Sequence, residues 1–126
     1  MLNSSKLVGF VATTKPEEAK VFYEQSLGLQ LVEESAFALV FASGSNMVRI
    51  QKVQALATPP YTSLGWEVKD IAAAVQYLTS KGVKFERYEG LPQNDEGIWR
   101  TPDGSRVAWL QDPDGNTLSL TESAGK

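Results

Sequence analysis

The sequence contains no histidine and no cysteine among its 126 residues. The absence of cysteine excludes disulfides, thiolate metal sites and a cysteine nucleophile. Histidine is the commonest metal ligand and the usual proton carrier near neutral pH, so its absence excludes Ser-His catalysis, zincin motifs and facial-triad iron sites. Any chemistry must therefore use Asp, Glu, Lys, Tyr, Ser or Arg.

The chain also lacks long apolar runs and a concentration of basic residues. No apolar stretch approaches the roughly 18 residues of a membrane helix, and no basic region followed by an apolar run stands at the N-terminus. The net charge is −3 with Lys and Arg scattered, whereas nucleic-acid binding needs a clustered basic face. We therefore expect a cytoplasmic protein with no membrane or nucleic-acid partner. The length and the 42% hydrophobic content predict one globular domain.

A helix with one apolar face is predicted for residues 16–26. Thr14 is the expected N-cap, Ala19 and Tyr23 recur at the helical spacing, and Gly28 ends the helix. Short β-favouring runs predict strands at Leu7–Ala12, Gln30–Glu33, Ala36–Ala42 and Met47–Val53, with a hairpin turn at 43–46.

The same order of elements returns after a predicted linker at 57–60. Asp70 is expected to cap a second helix that ends at Gly82, and aligning the two helices matches Ala19 to Ala74. The predicted apolar face of this helix is Ile71, Ala74, Val75 and Leu78. Strands are predicted at Thr62–Val68, Val83–Tyr88, Gly97–Thr101, Arg106–Gln111 and Thr117–Thr121. One βαβββ unit therefore occurs twice, in modules at about 5–56 and 61–122 of a single domain, 1–126.

Three stretches resemble the vicinal oxygen chelate superfamily, the glyoxalase, bleomycin-resistance and extradiol-dioxygenase group. They are FYEQSLGLQLV at 22–32, WEVKDIAAAVQYLTSKGVKF at 66–85 and DPDGNTLSL at 112–120. The resemblance covers essentially the whole chain. It implies an α+β fold in which two βαβββ modules form a curved, cup-shaped mixed sheet, with helices outside and the ligand inside. It also implies a homodimer.

Metal-dependent members of that superfamily bind their ion through His, Gln or Glu on the first strand of each module and on the last strand. By the resemblance, those positions fall near Val8, near Ser63 and on Ser119. An aliphatic side chain and neutral hydroxyls are poor ligands compared with imidazole or carboxylate. We therefore expect neither a metal nor another cofactor.

The acidic stretch DPDGN at 112–116 has a calcium-binding alternative, because its Asp and Asn oxygens match positions 1, 3 and 5 of an EF-hand loop. However, Thr117 stands where that loop needs glycine, and Ser123 stands where it needs a bidentate Glu. Asp, Pro and Gly at the first, second and fourth positions are what a type I turn prefers. A structural turn is therefore predicted here and in TPDG at 101–104.

Alternation along the strands divides their side chains between a helix side and the interior of the predicted cup. Leu118 and Leu120 are assigned to the helix side, and Trp66 is assigned to the core. The predicted ligand contacts are Phe10, Arg49, Gln51, Ser63, Glu67, Trp109, Gln111 and Ser119, with Tyr88, Gln93 and Trp99 from the loop at 88–100. A mostly apolar pocket with a few polar groups is typical of small-molecule sites. Alternatively, Arg49 and Glu67 only pair with each other in a partly buried interior.

Two classes of function remain open from the sequence. The first is a metal-free binder or sensor of a small aromatic or cationic molecule, as the resemblance to the bleomycin-resistance branch implies. The second is an enzyme, such as a glyoxalase-like lyase or isomerase. It would act through Glu67, a weak catalytic candidate, through a tyrosine, or through a metal site that the motifs do not reveal.

Overall fold

The structure is a computed structural model that describes residues 1–125. The chain divides into two compact units, Met1–Thr58 and a second that begins at Pro59. The boundary falls inside the predicted linker at 57–60. No helix in the described part of the chain is long and apolar enough to cross a membrane.

The first unit is a mixed four-stranded sheet with one helix. The elements are β1 (Val8–Thr13), α1 (Pro16–Val21), β2 (Gln30–Glu34), β3 (Ala38–Ser43) and β4 (Asn46–Lys52). The strands are arranged in the order β1-β4-β3-β2, with β1 parallel to β4 and the other pairs antiparallel. Gly44, with φ of 59°, forms the two-residue turn between β3 and β4, as the predicted hairpin requires.

The predicted helix over residues 16–26 is present, but its second half is wider than an α-helix. A π-helical segment, Phe22–Ser26, continues α1, and the Leu27 N–H donates to the Phe22 carbonyl at 2.9 Å. The predicted N-cap at Thr14 is wrong, because the helix begins at Pro16 and the residue before it, Lys15, is its N-cap.

The second unit repeats the topology of the first. The elements are β5 (Thr62–Glu67), α2 (Ile71–Ser80), β6 (Trp99–Arg100), β7 (Arg106–Gln111) and β8 (Thr117–Glu122). The strand order is β5-β8-β7-β6, with β5 parallel to β8 and the other pairs antiparallel. As predicted, the Asp70 side chain caps the helix by accepting the Ala73 N–H at 3.1 Å. The duplicated βαβββ arrangement is therefore confirmed.

The strand predicted at Val83–Tyr88 is wrong, and the one at Gly97–Thr101 is reduced to β6. Between α2 and β6 the chain makes only isolated bridges, from Phe85 to Leu110 and from Gln93 to Trp99. The Gln93 side chain takes the place of a regular ladder there, because it bonds three backbone groups of this segment. Local side-chain bonds of this kind compete with sheet pairing.

In each unit, one sheet face packs against its own helix. In the second unit, Leu110 and Leu118 are fully buried on that face, and Ile71, Val75 and Leu78 of α2 are buried as well. In the first, the Tyr23 ring contacts the Phe41 ring with centroids 5.8 Å apart. Each buried leucine contributes about 1.5–3 kcal/mol. The predicted helix side of the strands is therefore correct, and the opposite face of each sheet is called its open face below.

Candidate functional site

The acidic stretch at 112–116 is a structural turn. The Gly115 N–H donates to the Asp112 carbonyl at 2.9 Å. Asp112 is 5% exposed, and its Oδ1 accepts the backbone N–H groups of Asp114 (3.0 Å) and Asn116 (2.9 Å). Its Oδ2 accepts the Asn116 side-chain amide at 2.8 Å. The carboxylate oxygens are thus committed to donors inside the turn, as the turn prediction requires.

A second turn of the same kind, at 101–104, precedes β7. The Gly104 N–H donates to the Thr101 carbonyl at 2.9 Å, and the Asp103 carboxylate accepts the Thr101 hydroxyl and the Ser105 N–H. The hydrogen bond from Thr101 holds the pKa of Asp103 below its ordinary value, and Ser105 adds to this effect. Both predicted turns are therefore confirmed, and together they set the ends of β7.

The open face of the second sheet brings most of the predicted contacts of this unit together. Gly65, Ser119 and Trp109 form one row across β5, β8 and β7 through their cross-strand pairing. The neighbouring row consists of Glu67, Thr121, Val107 and Trp99. The face is therefore hydroxyl-rich and acidic at its β5 and β8 side and aromatic at its β6 and β7 side.

Three aromatic side chains form a cluster on this face. Trp99 and Trp109 are stacked, with ring centroids 6.1 Å apart and an interplanar angle of 26°. Tyr88 meets Trp109 edge to face, with centroids 5.3 Å apart. Burial raises the pKa of the Tyr88 phenol, and the nearby Glu86 carboxylate raises it further. Tyr88, Trp99 and Trp109, called the aromatic cluster below, therefore lie together, and their contact with a ligand stays a prediction.

A depression of about 290 Å³ lies beside the cluster, at the β5 and β8 side of the same face. Ser119 stands over Gly65, because a Cβ added to Gly65 would lie 2.5 Å from the Ser119 Oγ. Glu67 is exposed and accepts a hydrogen bond from the Ser123 hydroxyl at 2.7 Å. The depression is lined by Gly65, Trp66, Glu67, Ser119, Thr121 and Ser123.

Four lining residues, Gly65, Trp66, Thr121 and Ser123, are missing from the predicted contacts, and the sequence assigns Trp66 to the core. The alternation along β8 that selected Ser119 also selects Thr121 and, two residues further on, Ser123. The bond from Ser123 to Glu67 needed the register between β5 and β8, which connects residues 56 positions apart. Ser63 and Gln111 are exposed at the other end of the sheet.

Gln93, a predicted contact, holds the loop together. Its amide nitrogen donates to the carbonyls of Glu86 (2.9 Å) and Gly97 (2.8 Å), and its amide oxygen accepts the Tyr88 N–H at 2.7 Å. These bonds use the polar groups of the side chain, so Gln93 positions Tyr88 through the backbone.

In the first unit, the predicted contacts lie on the open face of its own sheet. Phe10 is paired with Arg49 across β1 and β4, and Ala12 is paired with Gln51. Phe10 is 54% exposed. Arg49 is half-buried and forms no ion pair or hydrogen bond within the described residues of this unit. Gln51 is exposed.

Comparison with known proteins places the sequence in a family. The model of the Glyoxalase/Bleomycin resistance protein/Dioxygenase superfamily matches residues 7–120. The chain belongs to this superfamily. No curated protein sequence matched it.

Solved structures of other proteins have the same fold as this chain. A lactoylglutathione lyase from Agrobacterium tumefaciens is similar with a TM-score of 0.69 and 20% identity, covering 95% of this chain and 94% of that one. A superfamily member from Alicyclobacillus acidocaldarius is similar with a TM-score of 0.74 and 16% identity, covering 97% of this chain and 93% of that one. Another, from Sphaerobacter thermophilus, has a TM-score of 0.74 and 21% identity, covering 98% of this chain and 100% of that one. At these identities the likeness shows the fold alone, an α+β fold with open mixed sheets.

The superfamily's metal ligands do not fit the residues present. Val8 of β1 offers no donor atom, and Ser63 and Ser119 offer neutral hydroxyls, which bind divalent ions weakly compared with imidazole or carboxylate. Within residues 1–125, no three Asp or Glu side chains lie close enough together to hold a metal ion. The donor set therefore gives no basis for a step through a metal.

Proposed function

We propose that this chain binds a small aromatic molecule on the open face of its second sheet, without a metal ion. The observation that carries the proposal is the stacking of Trp99 on Trp109 beside the hydroxyl of Ser119. An apolar platform next to a few polar groups is the usual composition of a small-molecule site.

The stacked rings of Trp99 and Trp109 can supply most of the binding free energy. Burying about 150 Å² of aromatic surface contributes roughly 4 kcal/mol, and a well-oriented aromatic pair adds about 0.5–1.5 kcal/mol. The hydroxyls of Ser119 and Thr121 add hydrogen bonds that orient the ligand rather than hold it.

The charges on this face favour a neutral or cationic ligand. Glu67 is the one charged side chain among the described residues that line the depression. Tryptophan faces attract cations by about 0.5–2 kcal/mol. We therefore propose an aromatic ring that carries an amine or another hydrogen-bond donor.

Phe10, Arg49 and Gln51 of the first unit remain predicted ligand contacts. An exposed phenylalanine paired with an arginine suits a planar ligand, because both side chains stack on aromatic faces. We expect substitution of Phe10 or Arg49 to weaken binding of such a ligand to the open face of the first sheet without unfolding the chain.

The proposal is tested by a thermal-shift screen of antibiotics, thiol conjugates and aromatic metabolites, because a ligand that binds only the folded state raises Tm by mass action. Saturable, stoichiometric turnover of one of these compounds by the purified protein would show a catalyst and not a binder.

The hydrogen-bonded pair Glu67 and Ser123 supports a second candidate, a lyase or isomerase in which Glu67 moves a proton. Glu67→Gln keeps the shape and removes the base, so unchanged turnover would eliminate this mechanism. Elemental analysis of protein purified without chelators tests the metal-dependent version. Less than about 0.1 metal ion per chain would eliminate it, because a working site is mostly occupied.

We also propose a homodimer. The support is the likeness to the superfamily that the sequence motifs carry, and light scattering of the purified chain measures the molecular mass directly.

A further inference from the structure

The helix-facing side of the second sheet carries two arginines directly opposite each other. Arg100 of β6 pairs with Arg106 of β7, and like charges in this position destabilise a sheet. Arg106 also pairs with Glu122 of β8. A charged row of Arg100, Arg106 and Glu122 therefore runs across three strands.

Glu122 compensates only part of this positive charge. Its Oε1 accepts the Ile71 N–H at the start of α2 (2.9 Å), and its Oε2 lies 4.0 Å from Arg106 Nη1. Arg100 forms no ion pair or hydrogen bond within residues 1–125. The Glu122 carboxylate thus serves the helix N-terminus and Arg106, and within the described residues Arg100 has no carboxylate partner.

The arginines line a cavity of about 350 Å³ whose available polar groups are donors. No acidic side chain lines it among the described residues. The Asn94 Oδ1 accepts the N–H groups of Glu96 and Ile98, both at 2.9 Å, which leaves its Nδ2 as a donor. The cavity is lined by Ala72, Pro92, Gln93, Asn94, Ile98, Arg100 and Arg106.

We propose that this cavity binds an oxyanion, the carboxylate or phosphate group of a small molecule. Guanidinium groups recognise both through paired hydrogen bonds, and a bound anion removes the repulsion between Arg100 and Arg106. The cavity lies on the opposite side of the sheet from the aromatic cluster, so this site does not depend on the proposed aromatic ligand.

The test is a titration of the full chain with inorganic phosphate and, separately, with malonate at constant ionic strength, followed by NMR of the arginine side chains. We expect saturable shifts of the Arg100 and Arg106 signals with at least one probe. The stronger probe identifies the class of oxyanion. Linear shifts that do not saturate with either probe would overturn the proposal, because they indicate only general screening.

Arg100→Gln is the decisive variant, because Arg106 also contacts Glu122. We expect Arg100→Gln to weaken probe binding about tenfold. The matched control is Lys81→Gln, which removes the same charge at the other end of α2 and should change binding by less than about twofold. Equal losses of probe affinity in both variants would contradict a specific oxyanion site at Arg100.

A stability measurement shows whether the Arg100→Gln variant is folded as stably as the parent. In buffer without oxyanions, Arg100→Gln should unfold at the same urea concentration as the parent or a higher one, because it removes a like-charge pair. Added phosphate should then stabilise the parent and Lys81→Gln more than Arg100→Gln. A lower urea midpoint for Arg100→Gln than for the parent in buffer without oxyanions would show that Arg100 stabilises the fold, against the proposal.

Discussion

Ser119 occupies the space over Gly65, its partner across the parallel strands β8 and β5, so closely that a Cβ on Gly65 would lie 2.5 Å from the Ser119 Oγ. The absence of a side chain at Gly65 therefore leaves the space that the Ser119 hydroxyl occupies at the depression beside the aromatic cluster.

This packing predicts an energetic coupling between the two positions. Gly65→Ala should force the Ser119 side chain to rotate, whereas in a Ser119→Ala background the nearest remaining side-chain atom, the Cβ at 3.8 Å, permits the new methyl group. We expect a coupling of about 0.5–1.5 kcal/mol in a double-mutant cycle measured by urea unfolding. Additive effects of the two substitutions would mean that Ser119 does not occupy this space.

The two Asp turns should differ in their importance for stability. Asp112→Ala removes a buried acceptor from three donors and should cost about 2–4 kcal/mol, because those donors are left unsatisfied. Asp103→Ala, in the exposed turn at 101–104, is the matched control and should cost much less. Urea unfolding measures both losses, and comparable losses would refute the structural ranking of the turns. Millimolar calcium should leave Tm unchanged, since the Asp112 oxygens are already committed.

Gln93 should stabilise the loop that carries Tyr88. Gln93→Ala removes three hydrogen bonds to the backbone and should cost about 2 kcal/mol, with faster hydrogen exchange of the Tyr88 N–H. Gln76→Ala removes a single exposed bond to Glu96 and should cost less than about 0.5 kcal/mol. Unchanged exchange at Tyr88 in Gln93→Ala would show that the loop keeps its conformation without this side chain.

Acid should weaken the ion pairs of the first unit. The hydrogen bond from Lys20 lowers the pKa of Glu34, and Lys52 lies 3.7 Å away from the same carboxylate. Because the folded pKa lies below the unfolded value, the contribution to stability is present above the unfolded pKa of about 4.5. It is lost as the pH falls through the folded pKa.

Glu34→Gln should therefore flatten the decrease in stability below pH 5. Glu33→Gln is the control, since Glu33 forms no ion pair within the described residues. Urea midpoints measured from about pH 2 to pH 7 provide the comparison. An identical pH dependence in the two variants would contradict the assignment of the pair.

The sequence predicted the strand faces well, because alternation decides which side chain is buried once a strand is present. Leu118, Ser119 and Leu120 illustrate this, and the duplicated helix ends at Gly28 and Gly82 identified the repeat. The segment from Val83 to β6 was not predictable in the same way, because a single side chain, Gln93, supplies bonds that periodicity does not report.

The candidate site was predictable only in part for a related reason. The parity of β7 and β8 placed Trp109 and Ser119 on one face, but contacts between distant positions depend on strand register. The bond between Ser123 and Glu67 and the pairing of Arg100 with Arg106 both follow from register. Neither has a signature in local composition.

The most direct test of the proposed function is a tryptophan-fluorescence titration of chelator-treated protein with the strongest compound from the thermal-shift screen. We expect saturable binding that Trp109→Ala weakens by about tenfold or more. The control Tyr77→Ala removes an aromatic ring on α2 that is 58% exposed and should leave affinity within about twofold. Loss of binding on chelation, or equal affinity in Trp109→Ala and the parent, would contradict a metal-free aromatic site on this sheet.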